Sequence, residues 1–186
     1  MEKVQKTKFH INLILGTFLC IIATLFSIFL LANLPFENYS VILGMLCWFL
    51  LWFFTHDLAH FLVGTVAGVR FNHYYLGRSD IIKLNIIPNS FKKMPIVLGL
   101  KINRKSSRAG KTGFAAMYIA GPLASMLTPF AVPITMLFKD SNNIAGLLLL
   151  LISVVNLGFT LWFSPKVGCI SKARRVLAAN RTKLTL

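Results

Sequence analysis

The segment Thr55-His56-Asp57-Leu58-Ala59-His60 places two histidines one helical turn apart. Residues at i and i+4 share a helix face, close enough for both imidazoles to bind one Zn²⁺. Asp57 follows the first histidine, where a carboxylate can serve as a general base toward a water. The same residues have a second reading, an interhelical hydrogen-bonded network with Asn156 as a partner from a later apolar run. Spacing alone leaves both open.

The framework around these residues follows from composition. The chain has 186 residues, 56 % hydrophobic and 13 % charged, with a mean hydropathy of +0.70. An ordinary soluble domain is about 25 % charged. These values exclude such a domain, a disordered tail and a collagen-like chain. Cys20, Cys47 and Cys169 are too few for a disulfide scaffold. No Gly-rich phosphate loop, Cys-x-x-Cys pair or internal repeat is present.

A bilayer core about 30 Å thick takes roughly 20 helical residues to cross. Four runs qualify, at about 11–34, 41–69, 113–138 and 144–163. The expected fold class is therefore an all-α polytopic membrane protein, a single membrane domain over 1–186 with four transmembrane helices. Lys3, Lys6 and Lys8 precede the first run as in a signal peptide, but the run is too long and lacks a small-x-small cleavage site, so it reads as a retained helix. The second run, about 43 Å if fully helical, must tilt, kink or protrude; Gly44, Gly64 and Gly68 permit close contacts or a bend. It alone carries His56, Asp57 and His60, and ionisable groups at that depth require partners, a metal or a wet cavity.

The net charge of +15 is distributed unevenly. Ten Lys or Arg against Asp80 alone lie between Arg70 and Lys111, and six lie after Pro165 with no acid. The turns expected on the opposite side hold Glu37 in one, and Lys139 with Asp140 in the other. The positive-inside rule then places both termini, the middle segment 70–112 and the basic tail 164–186 in the cytoplasm. The basic residues read as topology and attraction to membrane lipids, with no nucleic-acid partner expected. In the middle segment, Ile96, Leu98, Leu100 and Ile102 alternate with Val97, Gly99, Lys101 and Asn103, the period of a half-buried strand. The run 80–87 is a second β-prone stretch, and Pro88-Asn89-Ser90 with Lys92 and Lys93 marks the loop between them. A short hairpin or small sheet against the cytoplasmic helix ends is expected, as a cap or as an edge for an extended peptide.

HDLAH resembles the HExxH signature of the site-2 protease group of intramembrane zinc metalloproteases. Ala120-Gly121-Pro122-Leu123-Ala124-Ser125 is similar to that family's Gly-Pro-small-Asn segment in the next helix, with Ser125 in the Asn place. Asn156 followed by Ser164-Pro165-Lys166-Val167-Gly168-Cys169 resembles its Asn…Pro…Asp-Gly region, which supplies the third metal ligand. The order of the elements agrees, and the resemblance covers about 47–172. It implies one zinc ion on His56 and His60, catalysis through the residue at 57, support from Gly121, Pro122, Ser125 and Asn156, and a transmembrane or membrane-proximal peptide substrate.

Two departures matter. Asp57 stands where the family has Glu, leaving its carboxylate about 1 to 1.5 Å short, and a misplacement near 1 Å can cost about 100-fold in rate. No acid follows Asp140, so a third ligand must be Cys169, another residue such as His73, or absent. A His₂Cys set with an open position is competent for zinc. Cys169 also reads as a reduced juxtamembrane thiol or a palmitoylation candidate. The resemblance thus implies a divergent member with weak or lost peptidase activity. The alternatives are a noncatalytic membrane binding or chaperone protein, and a metal-ion or proton carrier using the His and Asp cluster.

Overall fold

The computed structural model describes residues 9–33, 40–77, 97–139 and 143–179. In chain order these form β1 (Phe9–Asn12), α1 (Leu13–Asn33), α2 (Ser40–Val66), β2 (Phe71–Gly77) and β3 (Val97–Ile102), followed by α3 (Lys111–Leu127), a 3₁₀ turn (Thr128–Phe130), α4 (Ala131–Lys139), α5 (Ile144–Phe163) and α6 (Cys169–Ala178). Four stretches, Leu13–Asn33, Val41–Val66, Lys111–Lys139 and Ile144–Phe163, are long and apolar enough to cross a membrane. Large apolar side chains face outward along all four, among them Phe18 and Phe29, Ile42, Leu123, and Leu151 with Val155. Faces of this kind are costly in water and fit an apolar surrounding.

Helix boundaries follow local chemistry. The first helix begins two residues later than its apolar run, because Ile11 belongs to β1 and the Asn12 side chain accepts the Ile14 N–H at 2.9 Å. α2 stops at Val66 in a Schellman turn: Val69 N–H donates to the Gly64 carbonyl, Gly68 N–H to that of Thr65, and Gly68 takes φ +84°. The third apolar run is not one uninterrupted helix. Pro129 lies in the 3₁₀ turn and Pro133 in α4, each unable to donate to the preceding turn. Asn143 caps α5 by accepting the Gly146 N–H at 3.0 Å.

The expected β structure is a small sheet: Val97–Ile102 is a strand that pairs antiparallel with Phe71–Gly77, which also pairs with β1, giving the order β1-β2-β3. The β-prone run 80–87 and its loop lie outside the described residues. β2 is rich in aromatic side chains suited to a pleated surface; Tyr74, fully buried, packs with Cys20, Leu98 and the α2 residues Phe54 and Leu58. The fold is therefore mainly helical with a three-stranded sheet set against α1 and α2. A second cluster, with Leu31, Cys47, Val132, Met136 and Leu149, joins α1, α2, α4 and α5. A third brings Val176 of α6 against Phe114, Met117 and Val69. The basic tail thus contains a packed helix that its composition does not announce.

Candidate metal centre

α2 lies between two sets of neighbours. His56 and His60 face α3, while Asp57, one residue and about 100° around the helix from His56, faces α1 and β2. His60, 8 % exposed, donates its Nδ1 proton to the Met117 carbonyl at 2.6 Å, since a carbonyl only accepts. His56 Nδ1 lies 3.2 Å from Ser125 Oγ. That hydroxyl donates to the Pro122 carbonyl at 3.1 Å and so accepts from the imidazole. Asn156 of α5 donates to the Ser125 carbonyl at 3.0 Å, fixing the same turn of α3 from its other side. Pro122 is buried and contributes that carbonyl acceptor. Gly121 is a requirement of contact: a Cβ there would run into the His60 ring, reaching Cδ2 at 2.6 Å.

With both Nδ1 atoms donating, both Nε2 lone pairs point inward, 3.2 Å apart. Cys169 Sγ stands 3.4 Å from Nε2 of His60 and 3.9 Å from Nε2 of His56. The thiol arrives there because the chain reverses after α5. Gly168 N–H and Ser171 N–H both donate to the Ser164 carbonyl, and Ser164 Oγ accepts from Ile170 N–H at 3.1 Å. Cys169 becomes the first residue of α6.

The fit to a metal can be tested on these separations. Bonds of about 2.05 Å to nitrogen and about 2.3 Å to sulfur in a tetrahedron require edges of about 3.3 Å between nitrogens and about 3.6 Å from nitrogen to sulfur. The observed 3.2, 3.4 and 3.9 Å match one face of that tetrahedron. Imidazole N–H groups held by a backbone carbonyl and a hydroxyl are the usual outer support of metal-bound histidines. His56, His60 and Cys169 can therefore hold one metal ion, with their donor atoms all within 4.8 Å of one another. Without a cation between them, two neutral lone pairs would face each other at hydrogen-bond distance.

Asp57 is not in that group. It is 4 % exposed, and its electrostatic neighbours are Cys20 and Tyr74. Burial pushes the Tyr74 phenol above its ordinary range; the phenol hydrogen-bonds the Cys20 thiol and lies 3.4 Å from Thr17 Oγ1. His73 stacks on His10 across the sheet, ring centroids 4.3 Å apart, and is likewise outside the group. Both sequence readings of Asn156 meet here: it joins a hydrogen-bonded network, and that network supports a candidate ligand. Sequence reasoning missed the Met117 carbonyl, which no residue type signals. Lys172 lies three residues beyond Cys169, and its charge also bears on both imidazoles.

Comparisons with protein-family models, with curated proteins and with solved structures return no match.

Proposed function

We propose that this chain is a multi-pass membrane protein that binds one Zn²⁺ through His56, His60 and Cys169, on a scaffold resembling site-2-type intramembrane metalloproteases, with peptide hydrolysis weak or lost. The observation that carries the reading is the convergence of three inward-facing donors on the edges of a zinc tetrahedron. Thiolate with two imidazoles selects zinc over magnesium, calcium or manganese. Zinc bound there supplies Lewis-acid polarisation of a substrate oxygen. The chain's own residues hold the ion and orient its ligands.

Weak hydrolysis is supported by the placement of Asp57. It is the only acidic residue among the described residues, and it faces Cys20 and Tyr74 rather than the donors. A general base must reach its proton directly or through one water. The membrane reading is supported by the four apolar helices. The cytoplasmic placement of the basic end is supported by the described Lys and Arg, all of which except Lys139 flank the sheet-and-α6 end.

The test is metal content per chain after purification in detergent without chelators, for wild type and for His56→Ala, His60→Ala and Cys169→Ala, with circular dichroism to establish folding. About one zinc in wild type and loss in each variant is expected. A folded wild type that takes up no zinc on reloading overturns the metal reading. Rapid peptide cleavage by the zinc-loaded wild type, abolished by His56→Ala, overturns the reading of weak hydrolysis.

A further inference from the structure

α6 carries a ligand and a packing surface on one stripe. Cys169, Ala173 and Val176 stand at i, i+4 and i+7, the spacing of a single helix face. Cys169 meets His56 and His60 of α2. Val176, two turns farther on, enters the cluster with Val69, Phe114 and Met117, and Ala173 is buried between them. Arg174 and Arg175 are exposed on the outer side.

The apolar part of this surface is small. Val176 is the only branched apolar side chain that α6 buries; Ile170 is half-buried and Leu177 half-exposed. A helix of ten residues is marginal without tertiary support. Its first turn is fastened to the end of α5, where Ser164 receives the N–H groups of Gly168, Ile170 and Ser171. That anchor leaves docking of the stripe on α2 and α3 to Ala173, Val176 and what Cys169 contributes. Met117 links the two halves of the surface: its side chain packs with Val176, and its carbonyl accepts the His60 Nδ1 proton at 2.6 Å. A shift of α6 off the cluster therefore bears on one ligand directly and on the support of a second.

We propose that the metal ion is a latch for α6: with zinc bound the helix is docked, and when the ion leaves, the stripe lifts and uncovers Val69, Phe114 and Met117. The inference rests on the zinc reading above. Zinc favours the docked form because only there does the third donor stand within reach, and a ligand shifts a conformational equilibrium by its differential affinity for the two forms. The coupling is reciprocal. Whatever weakens docking weakens zinc binding, even at a residue that touches no donor. Occupancy of a site set among apolar helices is thereby reported at the end of the bundle that carries the described Lys and Arg.

The test uses the full chain in uncharged detergent, zinc-loaded or chelated, with zinc content measured on each sample. Limited trypsin digestion is followed by mass spectrometry at Arg174 and Arg175, with Arg104 and Lys105 of the exposed turn before α3 as internal reference. Cleavage within a helix tracks the population of its open form when reclosing is fast. Zinc should slow cleavage at Arg174 and Arg175 about tenfold relative to the reference, within the ordinary range of coupling between sites. Cys169→Ser should be cleaved at the chelated rate with or without zinc. Val176→Ser, established as folded by circular dichroism, should lose about tenfold in zinc affinity by competition titration, while Leu177→Ser retains it. Equal cleavage of the zinc-loaded and chelated wild type, with one zinc bound, overturns the latch and leaves the metal reading standing. Wild-type zinc affinity in folded Val176→Ser overturns the coupling in the same way. Absence of zinc from folded wild type after reloading overturns both readings.

Discussion

Replacing Gly121 with alanine tests the centre through a residue that is not a ligand. The added Cβ would overlap the His60 ring, nearest of all at Nε2, with Cε1 at 2.5 Å and Cδ2 at 2.6 Å where ordinary contact begins near 3.4 Å. Relief requires a displacement of about 0.8 Å or more, on a ring tied at 2.6 Å to the Met117 carbonyl. A zinc–nitrogen bond is only about 2.0 Å long, so a shift of that size takes Nε2 out of bonding geometry. Disturbing the support of a ligating histidine costs about 10- to 100-fold in metal affinity. The direct clash places Gly121→Ala at the upper end, about 100-fold or about 2.7 kcal/mol. The assay is zinc competition against a chromophoric chelator in detergent, with Gly158→Ala as control because nothing lies within 4 Å of a Cβ at that position. Thermal melts of both proteins after chelation separate loss of affinity from loss of folding. Wild-type zinc affinity in a folded Gly121→Ala protein would refute the packing of His60 against α3.

Ser125→Ala removes the acceptor of the His56 Nδ1 proton, and zinc affinity should fall about tenfold; competition titration showing no change would place the support of His56 elsewhere. N-ethylmaleimide should label Cys169 in chelated protein and much more slowly after zinc loading, while Cys20 and Cys47, both buried, stay unlabelled; mass spectrometry of tryptic fragments reads the difference, and equal labelling of Cys169 in both states counts against its being a ligand. Asp57→Asn should leave zinc stoichiometry unchanged, because the side chain faces Cys20 and Tyr74; elemental analysis showing zinc loss would place Asp57 within reach of the metal.

The parts of this molecule legible in sequence are those governed by local rules. Apolar runs of transmembrane length mark the four long helices, and the i, i+4 spacing of His56 and His60 marks their common face. Pairing in the sheet is nonlocal, so β1 and β2 passed as the start of a helix and as part of a loop, although the aromatic content of 71–77 was visible. α6 is only ten residues long and carries its apolar contacts at Ala173 and Val176 among basic residues, so its charge masks its packing. The orientation of Asp57 was also undetermined. A carboxylate 100° around the helix from a ligand turns toward the metal or away from it according to which neighbours pack there, and that depends on Tyr74 and Cys20, far away in sequence. Cys169 was legible as a candidate because it stands near the place of the resembled family's third ligand and no acid follows Asp140, but its approach to the histidines needed the reversal around Ser164.

The path of the chain between the donors bears on biogenesis. His56 and Cys169 are 113 positions apart, so at about 5 to 20 residues per second translation takes roughly 6 to 23 s to supply the thiol after the first imidazole. During that interval α2 carries two uncompensated nitrogens, and the nascent chain cannot close the ligand set. On the zinc reading, capture by all three donors comes only at the end of assembly, and a chain stalled before residue 169 lacks the sulfur donor.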